Sequence, residues 1–216
     1  MENISVRSSR WFLLVVAVIG WLAILLQLYL IIANRTASIA ETVVRFFSFF
    51  TILTNLLVAI CCSAILSWGK QGIGRSFSKP ATLTAITLYI VVVGMIYNLI
   101  LRFQWEPKGL QRIVDELLHS VIPVLFFLYW LLFVPKQTLA WKHITPWLVY
   151  PVIYCVFILI RGSLSGYYPY PFIAVSTLGY SRVLVNICGL VIMFLAISVV
   201  LVSIAKLRGK KTAAVD

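Results

Sequence analysis

The chain has 216 residues, 62% of them hydrophobic and only 11% charged, with a mean hydropathy of +1.03. Those values lie outside the range of soluble domains and within that of proteins whose helices fill a bilayer, so a soluble core is excluded. The net charge of +12 comes from Lys and Arg dispersed over short loops, without the aromatic interleaving of an RNA-binding surface. This excludes a nucleic-acid partner and assigns the charge to membrane topology.

Six apolar runs follow, each near the ~20 residues that a spanning helix needs. They must be helical, because hydrocarbon offers a backbone amide no other partner. The first, Trp11 to Ala33, is longer than a signal-peptide core and lacks a small-residue cleavage pattern, so it reads as a retained span carrying Gln27. The second, Phe46 to Leu66, is the richest in polar groups. Its Ser48, Thr51, Thr54 and Asn55 recur at spacings of three and four, which puts them on one helix face. The third, Ala81 to Leu101, bears Thr84 and Thr87 near its start and Asn98 near its end.

The fourth, Leu117 to Val134, opens with His119, and Asp115 four residues earlier shares its face. The fifth, Ile144 to Ile160, ends against Arg161. The sixth, Val183 to Ala205, carries Asn186 at one end and Ser198 and Ser203 toward the other. Between the last two runs lies the longest connection, Gly162 to Arg182, whose Gly166-Tyr167-Tyr168-Pro169-Tyr170-Pro171-Phe172 segment alternates aromatics with prolines. Such a stretch resists helix formation and favours the membrane interface. It is expected to fold over the outer mouth as a lid, with Arg161 or Arg182 holding a carboxylate or phosphate. The competing reading is an interfacial loop flanked by snorkelling arginines.

With no internal repeat and no soluble remainder, the expected fold is an all-α membrane protein, a single six-helix bundle over residues 1–216. Of the 18 Lys and Arg, 11 flank one side of the spans, among them Lys70, Lys210 and Lys211. The positive-inside rule makes that side, with both termini, cytoplasmic. Trp11, Trp68, Trp105 and Trp141 mark span ends at the headgroup level. Cys61, Cys62, Cys155 and Cys188 all fall within spans without C-x-x-C spacing, which argues for packing and against a disulfide framework or zinc site. No metal or other cofactor is expected.

In this orientation Gln27, Thr51, Thr54, Asn55, Asn98, His119 and Asn186 gather almost entirely in the outer half of the bilayer. The cytoplasmic half has mainly small hydroxyls that can bond back to their own helix. A pore needs polar groups from face to face, so the one-sided set describes a pocket. Counted from Phe46 and Asp115, Thr51 and His119 lie at matching depths of roughly 6 to 8 Å. A threonine hydroxyl becomes a nucleophile when a neighbouring base takes its proton, and a neutral histidine can do so. Thr51, His119 and Asp115 therefore satisfy the order of nucleophile, base and orienter, with Thr54 as the alternative nucleophile. Asn98 and Asn186 fit two roles, interhelical bonding and stabilisation of an oxyanion, for which a backbone amide is a further candidate, and Asn55 joins them as a supporting residue.

Phe49-Phe50-Thr51-Ile52-Leu53-Thr54-Asn55, Leu117-Leu118-His119-Ser120-Val121-Ile122-Pro123 and Tyr168-Pro169-Tyr170-Pro171-Phe172 resemble, in order and position, the six-span androgen-induced membrane threonine hydrolases and their bacterial relatives. The resemblance implies a Thr51 nucleophile and a His119 base acting, without a cofactor, on lipid esters, typically fatty acid esters of hydroxy fatty acids. It implies a lipid ester or fatty-acid-like ligand entering from the outer leaflet. The rival reading is a small transporter or carboxylate-binding membrane protein that uses the same polar cluster without catalysis. Short loops and the compact chain point to a bacterial inner membrane.

Overall fold

The computed structural model describes residues 2–69, 71–104 and 106–212, so Lys70 and Trp105 lie outside the described residues, as do the side chains of Lys210 and Lys211. The described residues form helices and no strand. Six helices are long and apolar enough to cross a membrane: 6–33, 50–68, 80–103, 110–133, 141–165 and 175–208.

The first span is α1 (Glu2–Ala33). A short helix, α2 (Ile39–Phe46), follows, capped by the Ser38 hydroxyl, which accepts the Glu41 N–H at 3.2 Å. The second span, α3 (Phe50–Trp68), begins four residues later than the apolar run suggests, because Phe47 to Phe49 break the helix. A six-residue helix, α4 (Gly72–Phe77), leads to α5 (Pro80–Leu99), which starts with proline in its first turn, where the missing N–H costs nothing.

The fourth span joins α6 (Leu110–Glu116) to α7 (Ile122–Phe133) through a π turn, Leu117–Val121. A short α8 (Ile144–Trp147) and α9 (Val149–Ser165) make the fifth, and α10 (Val175–Thr212) the sixth. The chain bends in α10 at Gly179, whose φ of 71° only glycine adopts without strain.

Helices α3 and α5 are the most enclosed, whereas α1, α9 and α10 turn most of their surface outward. That outward surface carries exposed Leu22, Leu25, Ile153, Phe157, Val185 and Ile192, as bilayer-facing helices require. Trp11, Trp68 and Trp141 are exposed at span ends. Three of the small hydroxyls behave as expected: Thr84 donates to the Pro80 carbonyl at 2.7 Å, Thr87 to Leu83 at 2.8 Å and Ser198 to Phe194 at 2.7 Å.

Candidate active site

The break before α3 decides where Thr51 stands. Phe49 is the cap residue and has no polar side chain to offer, so the first-turn amides of α3 need a partner from elsewhere. Tyr170 supplies it. Its hydroxyl oxygen accepts the Thr51 N–H at 3.2 Å and lies 3.3 Å from Thr51 Oγ1. Thr51 therefore occupies the first turn of its helix, and Ser48 lies outside the helix, donating to the Val44 carbonyl at 2.7 Å. The depth count that started a helix at Phe46 does not hold.

His119 stands in the π turn. Ile122 N–H returns five residues to the Leu117 carbonyl, and Pro123 has no N–H to give. The carbonyls of Leu118 and His119 are thereby freed, and two asparagines meet them. Asn55 Nδ2 donates to Leu118 O at 3.2 Å and to Thr51 O at 2.9 Å, while Asn98 Nδ2 donates to His119 O at 3.2 Å and to Gly94 O at 2.8 Å. Single π turns of this kind concentrate at functional sites. Gly94 lets α5 come close, since a Cβ there would meet Pro123 at 3.1 Å and His119 O at 3.2 Å.

The His119 ring is held from two sides. Nδ1 lies 2.9 Å from the Asp115 backbone carbonyl, and the Tyr97 ring stacks on the imidazole at 4.1 Å with 16° between planes. A carbonyl can only accept, so Nδ1 carries the proton in the neutral ring and Nε2 keeps its lone pair. The Asp115 carboxylate is buried, accepts the Tyr97 hydroxyl at 2.6 Å and approaches Nδ1 only to 3.4 Å. Its main-chain oxygen orients the histidine more closely than its side chain does.

Two chambers meet at these residues, and both are lined by Thr51, His119, Tyr170 and Leu101. The larger, about 420 Å³, has polar walls from Gln27, Gln104, Gln111 and Asp115. The smaller, about 50 Å³, is apolar, walled by Val92, Val93, Ile96, Leu190 and Phe194. Thr54 lines neither; its hydroxyl is fully buried.

The lid expectation and the structure share one feature, a connection reduced to residues 166–174 that reaches into the bundle. Arg161 turns away from the chambers. It donates to Glu41 at 3.0 Å and lies over the Tyr167 ring at 5.1 Å, while Arg45 donates to the same carboxylate at 2.8 Å. Hydrogen bonding from Arg45 holds the Glu41 carboxyl below its ordinary range, with Arg161 adding to the effect. Arg182 is exposed on α10. Asn186 donates to the Phe172 carbonyl at 2.7 Å, pinning the connection. All three asparagines named from the sequence thus spend Nδ2 on backbone carbonyls.

Sequence reasoning missed Tyr97 and Tyr170 as site residues. Tyr170 was visible only as one aromatic of a Pro-rich loop, and Tyr97 only as the neighbour of Asn98. Among the described residues no group of three His, Cys, Asp or Glu side chains gathers to hold a metal ion. No family model, curated protein or solved structure matches the chain.

Proposed function

We propose that the protein is an intramembrane hydrolase of lipid esters, with Thr51 as nucleophile and His119 as base. The observation that carries this reading is that both side chains border the same two chambers while Nδ1–H of His119 is committed to Asp115, which leaves Nε2 to accept a proton. The resemblance to the six-span threonine hydrolases supports the same roles and suggests esters of hydroxy fatty acids. Lysine and arginine placement supports an orientation with the site toward the outer leaflet and both termini in the cytoplasm, and the short loops are compatible with a bacterial inner membrane.

In the proposed cycle His119 removes the Thr51 proton as Oγ1 attacks the ester carbonyl, then returns it to the departing alcohol. A water activated by the same imidazole releases the acid. Thr54 is the weaker candidate, because its hydroxyl borders neither chamber.

Purified protein in detergent, given a fluorophosphonate probe and a hydroxy-fatty-acid ester, tests the reading. Thr51→Ala should lose labelling, and Thr51→Ala and His119→Ala should each lower turnover by more than about a hundredfold, whereas Thr54→Ala should not. Folded Thr51→Ala and His119→Ala proteins that label and turn over normally would refute the hydrolase and favour a carboxylate-binding role.

A further inference from the structure

We infer that Tyr170 is a third catalytic residue of this site, whose hydroxyl donates to the oxygen of the ester carbonyl as negative charge develops there. The inference rests on the hydrolase reading above.

The side-chain donors named from the sequence already have partners. Asn55, Asn98 and Asn186 donate to backbone carbonyls, and Arg161 is engaged by Glu41 and by the carbonyl of Tyr167. The Tyr170 hydroxyl, by contrast, stands at the nucleophile. Its oxygen already accepts the Thr51 N–H, so one lone pair is occupied while its proton stays free to point toward Thr51 Oγ1, 3.3 Å away, or toward an atom bound there. An attacked carbonyl sits within bonding reach of Oγ1, and an oxyanion donor works at about 2.7 to 3.1 Å from the oxygen it stabilises. A hydroxyl 3.3 Å from Oγ1 is placed for that distance.

The surroundings favour the charge. The Tyr170 oxygen lies over the amino end of α3, where it accepts the Thr51 N–H and where the helix dipole favours negative charge. The residue is only 9% exposed, so its hydrogen bond acts with little competition from water. Burial also raises the phenol above its ordinary value and keeps it protonated, hence a donor, at neutral pH.

The ring is held before substrate arrives. It stacks on Phe172 at 5.2 Å with 7° between planes and meets the edge of Phe49 at 5.7 Å, and the Phe172 carbonyl is tied to Asn186. Preorganisation of this kind is what makes a donor worth more in an enzyme than in water.

The step balances as follows. The Thr51 proton passes to His119 Nε2, the Oγ1–carbon bond forms, and the carbonyl π pair moves onto oxygen, which accepts the Tyr170 O–H without taking its proton. Collapse restores the carbonyl and breaks the bond to the alcohol oxygen, which leaves with the proton from His119.

Tyr170→Phe, measured beside wild type and Thr51→Ala on a p-nitrophenyl acyl ester in detergent, tests this. Turnover should fall about a hundredfold with KM changed less than about threefold, and inhibition by an alkyl trifluoromethyl ketone should weaken in step with turnover. Fluorotyrosine at position 170 keeps the shape and acidifies the phenol, so the alkaline limb of the kcat profile should move to lower pH. A Tyr170→Phe protein as fast as wild type overturns the assignment. So does parallel loss of kcat and stability with an unmoved alkaline limb, since that assigns the hydroxyl to capping α3 alone. If Thr51→Ala itself remains active, the hydrolase reading fails. If Thr51→Ala is inactive and Tyr170→Phe is unimpaired, only the role of Tyr170 falls.

Discussion

Asp115 differs from the acid of a serine-protease triad in one measurable respect. The tautomer of His119 is set by a main-chain carbonyl at 2.9 Å, and the carboxylate, at 3.4 Å, is chiefly the acceptor for Tyr97. Asp115→Asn should therefore lower kcat by about tenfold or less, far short of the loss from His119→Ala, because the imidazole keeps its proton on Nδ1. Steady-state kinetics on the two variants decides it, and equal losses would return the orienting role to the carboxylate. Tyr97→Phe removes the donor to a buried carboxylate and should cost roughly 1 to 3 kcal/mol of stability, read from thermal unfolding in detergent.

The π turn converts a proline into a functional geometry. Pro123 cannot donate, the helix widens, and the freed Leu118 and His119 carbonyls recruit Asn55 from α3 and Asn98 from α5. Pro123→Ala restores an N–H and allows the segment to close into regular helix, which would turn His119 away from Thr51. Activity should drop more than about tenfold while the melting temperature is kept or raised, a combination that simple destabilisation does not produce. Asn55→Ala and Asn98→Ala act in the opposite sense, leaving a carbonyl without its interhelical donor, and should lower thermal stability. The sequence showed both asparagines and the proline, but not that one makes the need the other two meet.

Across the molecule, the connection that carries Tyr170 is tethered by charge. Glu41 on α2 takes guanidinium donors from Arg45 and, across the bundle, from Arg161, and both guanidiniums lie against Tyr167. Because the folded Glu41 carboxyl is lowered from 4.5, the stabilisation is complete above that value and is lost as pH falls through the lowered one. Acidification below about pH 4.5 should lower the melting temperature of wild type more than that of Glu41→Gln, and identical profiles would remove the tether from the account. Composition and run length alone determined the six-helix membrane architecture, because hydrocarbon leaves a backbone no alternative to helix. They also determined that the polar set crowds one half of the spans. Where α3 begins, which asparagines serve carbonyls and which tyrosine meets the threonine were decided by the tertiary structure. Those outcomes depend on unpaired backbone groups finding partners from other helices and connections, 63 residues apart for Asn55 and Leu118 and 119 for Thr51 and Tyr170, and no local pattern encodes such a meeting.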